Sequence, residues 1–442
     1  MGRDRRSAAR AHRVKTDARS IAARVVTRVE RDGAFAAAAL DAELARHPEL
    51  DPRDRALATE LSYGTLRCRA ALLTRLSRFA PRGLGKTHPA AVAHMLVAAY
   101  QILLLDRVPA HAAVNAAVGA ITREQGKRVA GFANAVLRKV ASAPLELSRG
   151  QAVVESVPPW LWERLTAAVG DDEARALVGA DPGRGVKVGV RVVGDAPLPA
   201  WLEEAEPGRA SPRARLLTGG GDLRLREGFA EGRFVIQEEG AQVVGLALGA
   251  RPGERVLDAC AGRGQKTTLL AEQVGAAGEV WATDLYPEKL AALDSESARL
   301  GLSAVHTAGV DWTVGSGGVP EAFDRVLVDA PCTGVGTLER RPEIAHRLRA
   351  EDPARLAKLA EQILRRALRH AKPGGRVVFA VCSVLPEEGP ALCKRVSDVL
   401  EAAPFDAPEL AHLLTPGATS SFLLPHRHGT EGYFVASFRR PA

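Results

Sequence analysis

No run of about 18 consecutive apolar residues occurs in the chain, so a membrane-spanning helix is not expected. The opening stretch MGRDRRSAARAHRVK is basic but has no apolar centre of the kind a secretory signal needs, which makes the cytoplasm the expected compartment. Cysteine is sparse. Cys68, Cys260, Cys332, Cys382 and Cys393 are scattered without a CxxC pair, which speaks against a disulfide framework and a zinc module, and no metal is expected. Each thiol is then either a buried hydrophobe or a reactive group.

What the chain has is length and a lopsided charge. Its 442 residues suffice for two or three domains, each with its own core. The formal net charge is +8, but residues 1–140 carry 25 Lys and Arg against 12 Asp and Glu, a net of +13, which leaves the remainder at −5. The whole positive excess is N-terminal, which points to a polyanion, RNA or DNA, as partner of the first domain. Arginine greatly outnumbers lysine and alanine is abundant, so part of this charge also fits a plain solvated surface.

Residues 1–17 are basic, polar and aperiodic and are expected to form a flexible tail. From Ala18 apolar residues recur at helical spacing: Ile21, Val25, Val26 and Val29, then Leu57, Leu61 and Leu66, then Val92, Leu96, Ala99, Tyr100 and Leu103. Breakers at Gly33, Pro48, Pro52, Pro81 to Gly83, Pro89 and Pro109 divide residues 18–142 into five to seven helices, an all-α bundle. Residues 143–233 read as a linker helix after Pro158-Pro159 and a small α+β unit with short runs at Val186 to Val193 and Leu223 to Leu225. Residues 234–442 alternate. Strands are expected at 234–236, 255–259, 279–283, 304–307, 325–328, 376–381 and 433–438, with helices at 239–248, 266–274, 287–300, 352–370 and 387–402. That alternation makes an α/β, Rossmann-like domain with a parallel doubly wound sheet, an antiparallel last strand being compatible with it.

In such a sheet ligands gather at the carboxyl ends of the strands, where Asp258, Asp284, Asp329 and Cys382 are expected. The stretch RVLDACAGRGQK, Arg255 to Lys266, reads as strand, glycine turn and helix start, with Gly262 and Gly264 letting backbone approach a ligand. Asp284 follows Asp258 by 26 residues, near the roughly 20-residue offset at which an acid takes ribose hydroxyls. Asp311, beyond the strand expected at 304–307, is placed for an adenine amino group. The turn does not spell GxGxxG and offers no arginine fork for a pyrophosphate, so S-adenosylmethionine fits better than NAD. A single cysteine would say little. Two at neighbouring strand ends, Cys332 in Pro-Cys and Cys382 ahead of an expected helix N-terminus that favours thiolate, suggest nucleophilic chemistry.

Three ordered segments, DRALATELSYGTLRCR (Asp54 to Arg69), YQILLLDRVPAHAAVNAAV (Tyr100 to Val118) and GFANAVLRKV (Gly131 to Val140), resemble the NusB-like RNA-binding domain of a bacterial rRNA methyltransferase family. Asn134 and Arg138 fall on one helix face, and Asn115 is placed to hydrogen-bond across to it, mainly as a helix-to-helix lock. DACAGRGQKT, TDLYPEKL, DAPCTGVGTLERRPEI, VCSVLPEEG and HGTEGYFVASFRR are similar in order and spacing to the cytosine-5 RNA methyltransferases of the Sun group, the nearest type being the bacterial 16S rRNA enzyme.

This resemblance implies cofactor contacts from Cys260, Ala261, Gly262, Arg263, Gly264, Gln265 and Lys266 and from Asp284, Asp311 and Asp329. It implies Cys382 as nucleophile and Cys332 in product release, with Asp329 recognising cytosine and Lys266 orienting the loop or substrate rather than reacting. The chemistry accounts for two thiols, since cytosine C5 is a poor nucleophile until a thiolate adds to C6, and a base must later remove the C5 proton. The target base has to be unstacked. Arg263 and Gln265 depart from the family's Ala-Pro-Gly-Gly-Lys turn, and Val381 stands where it has threonine. The expected substrate is one cytosine of 16S rRNA, naked or in a partly assembled subunit, and a monomer is expected. The alternatives are tRNA as substrate, a non-catalytic RNA-binding or ribosome assembly factor, or exchanged roles for the two cysteines. An amino-methylating enzyme would carry Asn/Asp-Pro-Pro-aromatic where this chain has Asp329-Ala330-Pro331-Cys332.

Overall fold

The structure, a computed structural model, describes residues 17–81, 83–142, 147–181, 187–219 and 221–442. The chain divides into two units, residues 1–148 and 149–442. The tail expected over residues 1–17 lies outside the described residues except for Asp17, which caps the first helix by accepting the Ser20 N–H at 2.8 Å.

Among its described residues the first unit is wholly helical: Ala18–Arg31, Ala36–Ala45, Pro52–Arg67, Arg69–Ser77, Pro89–Leu104, Ala110–Gln125 and Lys127–Ser142. Asp51 caps the third helix and Pro52 supplies its preformed first turn. The apolar stripes face inward: Ile21, Val25, Val26, Val29, Leu61, Leu66, Leu96, Ala99 and Tyr100 are buried, while Leu57, Val92 and Leu103 lie half-buried at the stripe edges. Asn115 is exposed, Asn134 is half-buried, and no hydrogen bond joins them. The polar ties run elsewhere, through Arg19 to Gln101 (2.8 Å), Arg24 to Glu43 (2.7 Å) and His94 with Glu124 (3.2 Å).

The second unit opens with helices Arg149–Ser156, Pro159–Val169 and Asp171–Val178. A four-stranded antiparallel sheet follows, made of β1 (Val188–Val192), β2 (Glu206–Pro207), β3 (Ala214–Leu217) and β4 (Phe234–Ile236) in the order β2-β3-β1-β4. The run at 234–236, read above as the first strand of the alternating region, instead pairs with β1, Val190 opposite Ile236. Three apolar residues carry no periodicity that selects one sheet, and the choice is made by Phe234, which is buried with its ring 5.3 Å from Trp201 and 5.6 Å from Phe229. The short run Leu223–Leu225 is a 3-10 turn, because Asp222 accepts the Arg224 N–H and closes it. Val186 lies outside the described residues. Arg191 is fully buried, donating to Gln237 (2.7 Å) and Thr268 (2.9 Å) and pairing with Glu272, so it braces this small sheet against the helix Gln265–Val274.

The large sheet contains β5 (Arg255–Asp258), β6 (Glu279–Asp284), β7 (Val305–Gly309), β8 (Phe323–Asp329), β9 (Ala371–Val381), β10 (Glu401–Ala402), β11 (Ser420–Leu423) and β12 (Tyr433–Arg439). Its order is β10-β12-β9-β8-β5-β6-β7, with β11 paired to β12. β5 to β9 are mutually parallel and β12 runs antiparallel to β9. The central strands are nearly continuous in Val, Leu, Phe and Ala because both faces are covered. Val256, Val280, Leu327, Val378, Ala380 and Val435 pack with helices Glu239–Ala247 and Gln265–Val274. Leu257, Val326, Val328, Val377, Phe379 and Val381 pack on the opposite side with helix Asp352–Ala367. The helix expected over 387–402 shrinks to Pro390–Arg395, since Pro390 sets its start and Glu401–Ala402 leave it to pair with Phe438 and Arg439. Among the described residues no helix is long and apolar enough to cross a membrane.

Candidate active site

The five parallel strands lie in the order third, second, first, fourth, fifth, so the direction of winding reverses between β5 and β8. A crevice forms at the carboxyl ends of strands at such a reversal. Asp258 ends β5, Asp284 ends β6, Asp329 ends β8, and Cys382 follows the last residue of β9, Val381. Parallel pairing brings these ends to one rim.

After β5 the chain turns through Ala259 to Gly264. Ala261 donates to Thr283 O at 2.8 Å and Gly262 N–H to Asp284 Oδ2 at 3.0 Å, so the turn is fastened to the end of β6. Gly264 has φ +84°, and a Cβ there would stand 2.1 Å from Leu293, so only glycine lets the helix Gln265–Val274 start here. Gly262 has φ +58° and open space where a Cβ would be. Asp258 is buried, with Oδ2 accepting from Thr267 at 2.7 Å and Oδ1 accepting no hydrogen bond. Burial pushes this carboxyl up to about 6, against the opposing bond from Thr267.

Asp284 accepts from Gly262 and Tyr286 backbone N–H groups, both at 3.0 Å, and more loosely from Lys289 Nζ at 3.3 Å. A ligand diol needs to displace only the loose contact. Asp311 does not reach these groups by hydrogen bonding. Its Oδ1 accepts from Thr313 N–H (2.8 Å) and Oγ1 (2.6 Å), which holds the carboxyl below its ordinary range and leaves Oδ2 as its available acceptor. Burial, followed by the charges of Asp258, Asp329 and Asp284, raises the Cys260 thiol well above its usual range. Arg263 and Gln265 are exposed, the latter donating to Ile236 O at 3.2 Å, so neither departure from the family turn fills the crevice floor.

Lys266, one turn further, donates to Asp329 Oδ2 at 2.6 Å. Burial alone would lower the lysine, but the charge and hydrogen bond of Asp329, with Cys382 and Asp258 nearby, outweigh it and raise the ammonium. Lys266 is therefore held as a cation beside a carboxylate, which suits orientation rather than proton exchange. Cys332 and Cys382 are both half-buried free thiols, and their sulfurs are 3.4 Å apart. The hydrogen bond to Cys382, then burial, then the charges of Cys382, Glu388 and Asp329 push the Cys332 thiol up.

Reasoning from the sequence missed three supports of this site. Thr267 satisfies Asp258, as above. Trp312 Nε1 donates to Ala259 O and Thr283 Oγ1, both at 2.9 Å, fixing the β5 and β6 ends to each other. Glu388 accepts from Thr333 and Ser383, the residues after the two cysteines. The only signal for Glu388 was an acid five residues after Ser383 in a segment of interest, which nothing local distinguishes from its neighbour Glu387.

These features fit S-adenosylmethionine: a glycine turn with open space at Gly262, a buried carboxylate oxygen without a hydrogen bond and an acid able to take a diol. Comparison with known proteins agrees. Residues 245–439 match the family model for 16S rRNA methyltransferase RsmB/F, and residues 16–142 match the NusB family. Ribosomal RNA small subunit methyltransferase B of Erwinia tasmaniensis is 31% identical, covering 95% of this chain and 98% of its own. The protein of the same name from Klebsiella pneumoniae is 31% identical over 96% and 98%. The solved structure of PH0851, 24% identical, covers 96% of this chain and 99% of its own with a TM-score of 0.82, and so shares the fold. The chain belongs to the 16S rRNA methyltransferase RsmB/F family, as an RNA methyltransferase whose cofactor is S-adenosylmethionine.

Proposed function

We propose that the protein methylates C5 of one cytosine in 16S rRNA, through a covalent bond between Cys382 and C6 of the base. The observation that carries this reading is the pair of free thiols 3.4 Å apart at the ends of adjacent parallel strands, beside the Lys266–Asp329 ion pair. Small-subunit rRNA as the substrate is supported by the relatives that carry that name along nearly their whole length.

In this reading the turn from Cys260 to Lys266, with Asp284 and Asp311, holds the cofactor. S-adenosylmethionine, when bound, supplies an electrophilic sulfonium methyl for C5. Cys382 adds to C6 as the thiolate, which breaks the C5–C6 π bond and places the electron pair on C5. Asp329 accepts a hydrogen bond from the exocyclic amine, and Lys266 aims that carboxylate by donating to its Oδ2. Once C5 carries the methyl group, Cys332 takes part in removing the C5 proton. The electrons of that C–H bond restore the double bond, and the Cys382 sulfur leaves as thiolate. Two sulfurs in contact suit this division between attack and release, because both must reach neighbouring ring atoms.

Methyl transfer to small-subunit rRNA, together with electrophoresis of covalent RNA–protein adducts, tests the assignment. Cys382→Ala is expected to abolish methylation and form no adduct, whereas Cys332→Ala accumulates adduct. Adduct from Cys382→Ala and none from Cys332→Ala would exchange the two roles, and full activity in Cys382→Ala would refute covalent catalysis by this thiol. Bisulfite sequencing of rRNA from cells lacking the protein locates the modified cytosine.

A further inference from the structure

Glu388 has a side chain only 1% exposed, although it is a carboxylate. Its Oε1 accepts from the Thr333 backbone N–H at 2.7 Å, and its Oε2 accepts from Thr333 Oγ1 at 2.5 Å and Ser383 Oγ at 2.6 Å. Thr333 follows Cys332 and Ser383 follows Cys382, so one carboxylate is bonded to both cysteine-bearing loops. The Ser383 hydroxyl is itself fixed by the Leu385 N–H at 3.2 Å, and the Gly336 N–H reaches Cys382 O at 3.0 Å. Burial raises this carboxyl, opposed by the three bonds it receives. A buried carboxyl placed so unfavourably for its charge is stable there only because those donors converge on it.

Resting on the two-thiol reading above, we infer that Glu388 is a positioning residue, whose side chain clamps the Cys332 and Cys382 loops together and sets the sulfur-to-sulfur spacing that the change from attack to release requires. Without the clamp the Cys332 loop, which leaves β8 at Asp329, can shift against Cys382, which directly follows the end of β9. A displacement of about 1 Å at a reacting group costs about 100-fold in rate. The expected loss falls on release more than on RNA binding, because Cys332 is the thiol flanked by the residue with two of the three bonds.

The spacing can be read without RNA or cofactor. Phenylarsine oxide joins two thiols that are in contact, forming two As–S bonds and releasing water, and Cys332→Ala provides the background for other thiols. Glu388→Ala is expected to slow bridging. Its kcat should fall by about 100-fold, with KM for RNA unchanged and with covalent RNA adduct accumulating. Glu388→Gln keeps an acceptor for Thr333 N–H and an amide for the hydroxyls, and should stay within about tenfold of wild type. If Glu388→Ala fails to fold, Ser383→Ala and Thr333→Val, which each delete one side-chain tie, should show the same pattern at smaller size. Bridging and product release at wild-type rates in the alanine variants would overturn the inference. So would a fall in kcat with bridging unchanged, or Glu388→Gln as impaired as Glu388→Ala. Failure of the two-thiol reading is distinguishable: Cys382→Ala would then retain methyl transfer whether or not Glu388→Ala slows bridging.

Discussion

Asp258→Asn should stabilise the protein at neutral pH and lose that advantage in acid. Asp258 lies at the end of β5 with one oxygen bonded to Thr267 and the other without a partner. Burial moves its carboxyl from an ordinary 3.8 up to about 6, a gap worth about 3 kcal/mol. The sign follows from the direction. A carboxyl raised in the folded state favours folding when protonated, and that stability is fully present below 3.8 and lost as pH rises to about 6. Above that, the ionised carboxylate burdens the folded state by the full amount. Asparagine keeps an acceptor for Thr267 and cannot ionise. Urea unfolding at pH 4 and pH 8 should therefore show the variant gaining about 2 kcal/mol on wild type between the two, most of it below pH 6, the remainder falling below pH 4 where the unfolded chain's carboxyl also protonates. At about 2 °C per kcal/mol for a unit of this size, the melting temperature at pH 8 rises by about 6 °C. A stability difference that stays constant with pH, or one that widens toward acid, would refute the argument that a desolvated carboxylate sits here.

Other outcomes follow from packing. Gly64→Ala would drive a methyl group to 2.2 Å from the Tyr100 ring, so the helical unit should lose about 1 to 3 kcal/mol, measured by thermal denaturation of the full chain followed by limited proteolysis within residues 18–142. Arg191→Met removes the donor shared by Gln237, Thr268 and Glu272. It should cost about 3 kcal/mol in urea unfolding, toward the low end of the range for broken buried pairs because Glu272 keeps Arg213 at 3.0 Å.

Much of the second unit was legible because its signals are local. Apolar runs ending in Asp258, Asp284 and Asp329 mark strands whose final residue is polar, and helices between them force parallel pairing. Once that is granted, the polar ends share a rim without further information. The first unit was legible for the same reason, since proline and glycine punctuate helices whose apolar stripes repeat within a few residues. Asp311 shows the limit: it lies past the expected strand, but its Oδ1 is taken by Thr313 two residues away, which spacing alone does not reveal.

What the sequence determined by itself is the set of chemical groups and the strand end or turn on which each stands: two thiols, the acids, Lys266 and the glycine turn. Tertiary structure decided which of them touch. The 3.4 Å between Cys332 and Cys382, separated by 50 residues, exists because β8 and β9 are neighbours in register, Asp329 opposite Ala380. Glu388 becomes a clamp only because both loops fold over it, and Arg191 becomes a buried brace only because the small sheet lies on the helix Gln265–Val274. Phe234 to Ile236 joins that sheet rather than the large one for a similar reason, a partner strand 42 residues earlier, Val192 opposite Phe234. Periodicity reports how a residue faces its own element; contacts between elements depend on chain closure over tens of residues, which no local pattern encodes.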